Sequence, residues 1–450
     1  MSLLDSVAPI SQIPPAAMTR LPLPEHPLRQ RLNDELHARP PMALGDGEWI
    51  SYLAVLHDGA EASAEEAHLH RLCGALGADV CPVILGDHWV LEAGDLRVKW
   101  ERHNEFSGYT FFLRRQYGDA LDSSALTALP EDWLGGLPGT LIAATHVELR
   151  PAGPDPMAEV QAEAIRCGDS VVATSVADSA AWVVSDFRLH QGFTRFVVLD
   201  EGMTRRQAGR TVQRLLEIET YRMMALLAFP VAKEVAAFLS GAEDELAGLM
   251  DRMGAARNPE DEREILASLT RVAAEVERSV ARTAFRFGAA QAYFDLVRQR
   301  IADLREIRLG GFPPIQEFMD RRLAPAINTC LSVSRRQHAL SDRVARKSSL
   351  LRTRVEMELE RQNQELLAQM NRRARLQLRL QETVEGLSVV VLTYYGSSLV
   401  HHLAEGLHES LHLGPAPVVS TALSIPLIAA LVAWGTHRMR KKLTAEEGGH

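Results

Sequence analysis

Five residues near the C-terminal end carry the donor atoms of a metal site: His401, Glu405, His408, Glu409 and His412. On a helix, His401, Glu405, His408 and His412 follow one another at spacings of four, three and four and so share a face. Imidazole with carboxylate is a donor set for divalent metals. Leu403, Leu407 and Leu411 keep the same period, which equally describes an amphipathic helix at a membrane interface. Just upstream, Tyr394, Tyr395, Ser397 and Ser398 interrupt an apolar run. Such residues line an aqueous path in an oligomer, or, with Gly396, let two membrane helices pack closely. The one cofactor these residues suggest is a divalent cation, and no motif identifies any other.

Two polar clusters lie earlier in the chain, HPLRQRLNDELHARPP at 26–41 and KWERHNEFSGYTFF at 99–112. Arg39 and Arg102 supply the guanidinium groups of an anion-binding site. A capped helix with a proline arm and a charged hairpin turn account for the same residues without function. A third cluster, Glu217, Glu219, Tyr221 and Arg222, falls within two helical turns and reads as a salt-bridge network or a polar site. The chain contains no GxGxxG, GxxxxGK, GxSxG or HExxH, which argues against the enzyme families built on those motifs. No catalytic residue is assigned, and a non-enzymatic role is favoured.

The elements that must position these residues begin with two apolar stretches. Residues 415–434 carry no charge, and about 20 helical residues span the ~30 Å of a bilayer's hydrocarbon core. Residues 387–403 form a shorter apolar run. Arg372, Arg373, Arg375 and Arg379 precede the pair, and His437, Arg438, Arg440, Lys441 and Lys442 follow it. Basic collars at both ends predict a two-helix transmembrane hairpin with both termini cytoplasmic and a loop near 401–414 outside. Upstream, 335–386 reads as a long coiled-coil-like helix with apolar residues at Leu340, Val344, Leu351, Val355, Leu359, Leu366, Met370, Leu376, Leu380 and Val384. That stripe predicts a homo-oligomer. Further helices are expected over 259–308 and over 204–238, the latter kinked at Pro230.

The first 200 residues differ in pattern. Strands are expected at 49–56, 80–85, 89–91, 96–100, 109–113, 141–149, 181–189 and 195–199, with helices near 62–76, 124–129 and 158–165. This is an α+β or α/β domain around a mixed sheet. The organisation expected is therefore a leading arm (1–20), the α/β domain (21–203), a long-helix domain (204–386), the hairpin (387–436) and a basic tail (437–450).

Composition agrees with a folded protein, 46% hydrophobic and 24% charged. A net charge of −9 argues against nucleic acid as a partner, since phosphate binding needs a basic face. The bilayer and further copies of the chain remain as partners. Cys73, Cys81, Cys167 and Cys330 lack the close spacing of a zinc or redox motif and read as thiols in a reducing compartment. The first residues do not read as a secretory signal, so the body is expected in the cytoplasm.

Five segments, HPLRQRLNDELHARPP, WERHNEFSGYTFF, LLEIETYRMMALL, RRLAPAINTC and LQETVEGLSVVVLTYY, resemble a bacterial family of uncharacterised membrane-anchored proteins, across residues 21–442. The resemblance implies an inner-membrane protein and supplies no reaction. In layout alone, the order of parts is similar to CorA-type divalent-cation channels, although TYYGSS stands where that family carries Gly-Met-Asn. The functional expectation is an oligomeric CorA-like cation channel or transporter; alternatively, a membrane-anchored sensor or scaffold with the hairpin as tether.

Overall fold

The computed structural model describes residues 23–447 except 31, 34–40, 46, 58–61, 79–80, 85, 115–123, 169–170 and 412–416; for 62, 407–411, 417 and 439–447 it describes the backbone alone. The chain divides into two compact units, Met1–Gly248 with Thr270–Ala345, and Leu249–Leu269 with Arg346–His450.

The first unit is built on a mixed sheet of ten strands: β1 (Glu48–Leu56), β2 (His88–Ala93), β3 (Leu96–Arg102), β4 (Phe106–Arg114), β5 (Thr140–Pro151), β6 (Val172–Val176), β7 (Ala181–Ser185), β8 (Leu189–His190), β9 (Phe193–Asp200) and β10 (Ile307–Arg308). Their order is β10-β6-β7-β9-β5-β1-β4-β3-β2, with β8 beside β9. β5 and β9 are parallel and the other pairs antiparallel. The expected sheet-rich domain followed by long helices is thus present.

One expected strand is absent. Residues 81–84 are irregular, because Pro82 has no N–H to give a ladder, and its carbonyl accepts the indole N–H of Trp89 at 3.0 Å. β6 and β10 were not foreseen. Every residue of β6 is buried, so it shows no alternation, and β10 is only two residues long.

The helices are α1 (Ala62–Ala75), α2 (Glu131–Gly135), α3 (Pro156–Cys167), α4 (Arg205–Leu226), α5 (Ala228–Ala255), α6 (Pro259–Leu304), α7 (Ile315–Arg322), α8 (Ala324–Leu411) and α9 (Pro417–Glu447). The single kinked helix expected over 204–238 is two helices broken at Leu227. Pro230 lies in the first turn of α5, where a missing N–H costs nothing. α4 opens on a capping box, in which the Thr204 side chain takes the Gln207 N–H and the Gln207 side chain takes that of Thr204.

Period-two alternation gives β1, β3 and β4 two unlike faces. One face buries Leu53, Val98, Trp100, Tyr109 and Phe111 against Leu69 and Leu72 of α1 and Trp133 of α2. The other carries Tyr52, Lys99, Glu101, Thr110 and Phe112. α4 packs on β5 and β9. Around β5, Arg150 joins Glu148, Glu159 and Glu163, and Arg195 joins Glu148 at 2.8 Å, so buried charges are neutralised within the network.

Cys73 and Cys81 form a disulfide, with Cα atoms 5.6 Å apart, which corrects the expectation of four separate thiols. The intervening turn brings the end of α1 back to the segment before β2, a proximity that sequence spacing does not announce. Cys167 and Cys330 are free.

α8 is longer than expected at both ends, starting at Ala324 and staying helical to Leu411, through much of the anticipated outer loop. Its apolar stripe splits in two. Leu340, Val344 and Leu351 are buried within the chain, whereas Leu359, Leu366, Met370, Leu376, Leu380 and Val384 are exposed. Within the second unit, Arg354 pairs with Glu262 at 2.7 Å beside buried Ile265 and Leu269.

His146 on β5 meets the hydroxyl of Ser51 at 2.9 Å, its cross-strand partner, and stacks on Phe193. Burial, with Arg195 adding repulsion, pushes its pKa down to about 4. The unfolded chain therefore takes up a proton below about 6.5 that the folded protein refuses. Stability should fall between about pH 6.5 and about 4 and level off below. Melting followed by tryptophan fluorescence should show that fall in the parent and a smaller one in His146→Gln; equal slopes would remove His146 from the acid response.

Candidate functional site

Between α4 and the polar face of the sheet lies a cavity of about 290 Å³. Its floor is Tyr52, Lys99, Glu101, Thr110 and Phe112, which alternation turns to the same side, with His103 from the β3–β4 turn and Phe106 at the start of β4. Its roof is one face of α4, where Gly209, Val212, Gln213, Leu216, Glu217, Thr220 and Tyr221 recur at helical spacing. Arg300 of α6 closes one side.

Two glycines permit this close assembly. A Cβ at Gly209 would overlap the carbonyl of Met42, so only glycine lets the 41–45 segment cross α4. That segment is tied down by Leu44 N–H to the Arg205 carbonyl (3.0 Å) and by Arg97 to the Ala43 carbonyl (3.1 Å). A Cβ at Gly108 would stand 2.9 Å from the Tyr52 hydroxyl, so glycine makes room for that ring.

The walls carry two ion pairs. Lys99, only 3% exposed, holds Glu101 at 2.9 Å. Arg300 pairs with Glu217, which also accepts the Gln213 amide N–H at 2.8 Å. Thr220 donates to the Leu216 carbonyl at 2.8 Å and is also hydrogen-bonded to the buried Tyr52 hydroxyl. Burial raises the Tyr52 pKa well above its ordinary value. Burial, reinforced by Glu217 and opposed by Arg300, pushes Tyr221 up to about 12. Both phenols thus keep their protons at neutral pH and act as hydrogen-bonding groups, not as nucleophiles or bases. Phe106 stacks on His103, with ring centroids 4.5 Å apart. The arrangement is suited to binding: fixed charges, protonated hydroxyls and aromatic walls around an open volume.

Two of the polar clusters seen in the sequence meet here, Glu101 and His103 from one and Glu217 and Tyr221 from the other. The salt-bridge expectation for 217–222 also holds: Glu217 bonds across to Arg300, while buried Glu219 bonds Arg222 (2.9 Å) and the Thr194 hydroxyl (2.8 Å). Arg102 lies elsewhere, 3.6 Å from Glu65 of α1. Arg39 falls outside the described residues. Tyr52, Lys99 and Arg300 were not singled out in advance. A signal existed for Lys99, since Arg97, Lys99 and Glu101 alternate with Leu96, Val98 and Trp100 and mark a polar face on a strand.

At the other end of the chain, α8 and α9 pack side by side. A Cβ at Gly396 would lie 2.9 Å from Ile428, and the His401 ring meets the Thr421 hydroxyl at 2.9 Å. Ser397 is buried and donates to the Tyr394 carbonyl, and Ser398 is half-buried, whereas Tyr394 and Tyr395 are 69% and 67% exposed. Glu405 faces His402 at 3.8 Å. His408 and Glu409 lie on the helix with only their backbone described, and His412 is outside the described residues. Among the described residues, no three His, Cys, Asp or Glu side chains converge as metal ligands.

Among the described residues, three helical stretches are long and apolar enough to cross a membrane, Arg205–Ala255, Ile315–Gly406 and Val418–Arg438. The last two contain the stretches recognised in the sequence. The first owes its composition at least in part to the protein interior, where Leu215, Ile218, Met224 and Val235 are buried.

Fold and cavity together define a sheet-rich α/β unit followed by long helices that end in an apolar helical pair. A family described as "Protein of unknown function (DUF3422)" matches residues 24–443, and the chain belongs to that family. No curated protein matches it.

The Lys99–Glu101 pair yields a test of the site's construction. Lys99→Met leaves a half-buried carboxylate unpaired and should destabilise the protein by about 3–5 kcal/mol. Adding Glu101→Leu removes that charge and should recover most of the loss, read as the midpoint of chemical unfolding. A double variant no more stable than the single one would mean that the ion pair itself holds the fold.

Proposed function

We propose that the protein is a membrane-anchored receptor, with the α8–α9 pair as its anchor and the cavity beneath α4 as its ligand site. The cavity carries this reading, because its walls bury charges that a purely structural interface would do better without. The anchor is supported by Leu387, Val390, Leu392, Leu423, Leu427 and Leu431, all exposed on a helical pair. Water disfavours so large an apolar surface, whereas hydrocarbon accepts it, the helices satisfying their own backbone groups. The basic residues on either side of the pair favour an inner-membrane hairpin with both termini cytoplasmic. The Cys73–Cys81 bond argues the other way for the first unit, since disulfides are rare in a reducing cytoplasm. Labelling decides between the two. Cysteine introduced at Ser410 should react with an impermeant thiol reagent in intact cells, and cysteine at Ala445 should react only after lysis. The reverse pattern would invert the topology.

A second reading is an oligomeric CorA-like cation pathway. It is favoured by Tyr394 and Tyr395, whose hydroxyls lie in an apolar stretch and would need partners in hydrocarbon. Copies inserted in the same sense would meet in parallel along the exposed stripe from Leu359 to Val384. Glu405 and Glu409 would then concentrate divalent cations at a pore mouth. Leu366→Asp with Leu380→Asp should lower the mass measured by light scattering, and wild-type proteoliposomes should take up divalent cation. An oligomer that passes no cation would leave the receptor reading alone.

A further inference from the structure

The cavity's chemistry narrows the ligand, given the receptor reading on which this step rests. We propose that the site takes a small zwitterion, an α-amino acid or a molecule with the same adjacent ammonium and carboxylate.

Charge is the first argument. Lys99 and Arg300 face Glu101 and Glu217, so these four groups sum to zero. A net anion would approach two carboxylates, and a net cation two cations, each in surroundings where solvent screens little. A ligand with no net charge meets neither penalty.

The second argument is hydrogen-bonding capacity. A guanidinium has five donors and a carboxylate about four lone-pair sites, so Arg300, which meets Glu217 and Asp303, and Glu217, which also takes the Gln213 amide, keep capacity beyond those partners. An α-amino acid carries its two charges on one carbon, spaced like the groups of an ion pair. It can lie edge to edge against Arg300 and Glu217, its carboxylate taking the guanidinium and its ammonium taking the carboxylate. No protein charge is then left unpaired, which is the condition for burying charge at all. An uncharged polyol makes only the weaker half of these bonds.

The third argument is shape. A volume of about 290 Å³ stands at the low end of small-molecule sites. Phe106, Phe112, Val212 and Leu216 supply apolar wall for a side chain, while Tyr221 and Thr110 offer hydroxyls.

The test is titration calorimetry on the full-length protein in detergent. Each standard L-amino acid is titrated singly, with glucose, citrate and putrescine as neutral, anionic and cationic comparators. At least one amino acid should bind saturably and the comparators should not. Affinity should fall about tenfold or more, the scale of a lost charge-assisted hydrogen bond, in Lys99→Met/Glu101→Leu and in Glu217→Gln/Arg300→Met. Both variants replace charges in pairs to preserve folding, and their melting curves verify it. Binding of a comparator alone, lost in the same variants, would overturn the zwitterion and keep the receptor. Amino-acid binding unaffected by either variant would place the site elsewhere and overturn the proposal. No binding by any probe would overturn both readings.

Discussion

Helix α4 lies on a sheet that is not uniformly apolar beneath it, and the first unit depends on that contact. Apolar surfaces alone would let a helix slide along a sheet with little change in energy. Here the register is held at particular points: the Met42 carbonyl over Gly209, Thr194 on Glu219, and Tyr52 on Thr220. The first is a steric fit that no side chain at 209 would allow. Each of the other two is a buried hydrogen bond whose loss costs about 1–3 kcal/mol, so displacement by one residue is penalised at several places together. The cavity is what remains where helix and sheet are kept apart by charged side chains instead of closing on aliphatic ones.

Much of this was legible in the residues. β1, β3, β4, β5 and β9 announced themselves by alternation, and α6 and α8 by length and periodicity. β6 gave no such signal, because VATSV is short and its small and polar residues form no apolar run. The polar clusters were visible one by one, but their meeting was not. Glu101 and Glu217 are more than a hundred residues apart, and only the packing of α4 brings them to one cavity. Arg300 was invisible for the same reason, being one arginine among many on a long helix. Arg102, one residue after Glu101, faces Glu65 of α1 because each step along a strand reverses the face.

The apolar stripe of α8 teaches a related lesson. Periodicity in a sequence reveals that a face will be covered, not by what. Leu340, Val344 and Leu351 find partners inside the chain, and the same pattern continues through Leu359 to Val384 without them. Between α8 and α9 the contacts are of another kind. Gly396 brings the backbones together against Ile428, and His401 bonds Thr421.

The first unit is discontinuous in the chain, and this orders events in time. Its sheet lacks β10, and its cavity lacks Arg300, until residues about a hundred positions beyond β9 have been made. The apolar stretch that begins near Leu387 comes later still. At a synthesis rate of about 5–20 residues per second, the roughly 80 residues between β10 and that stretch take about 4–16 seconds. The α/β unit can complete its sheet and close its cavity while the apolar helices are unmade, so that a folded body waits on the ribosome for its own tail.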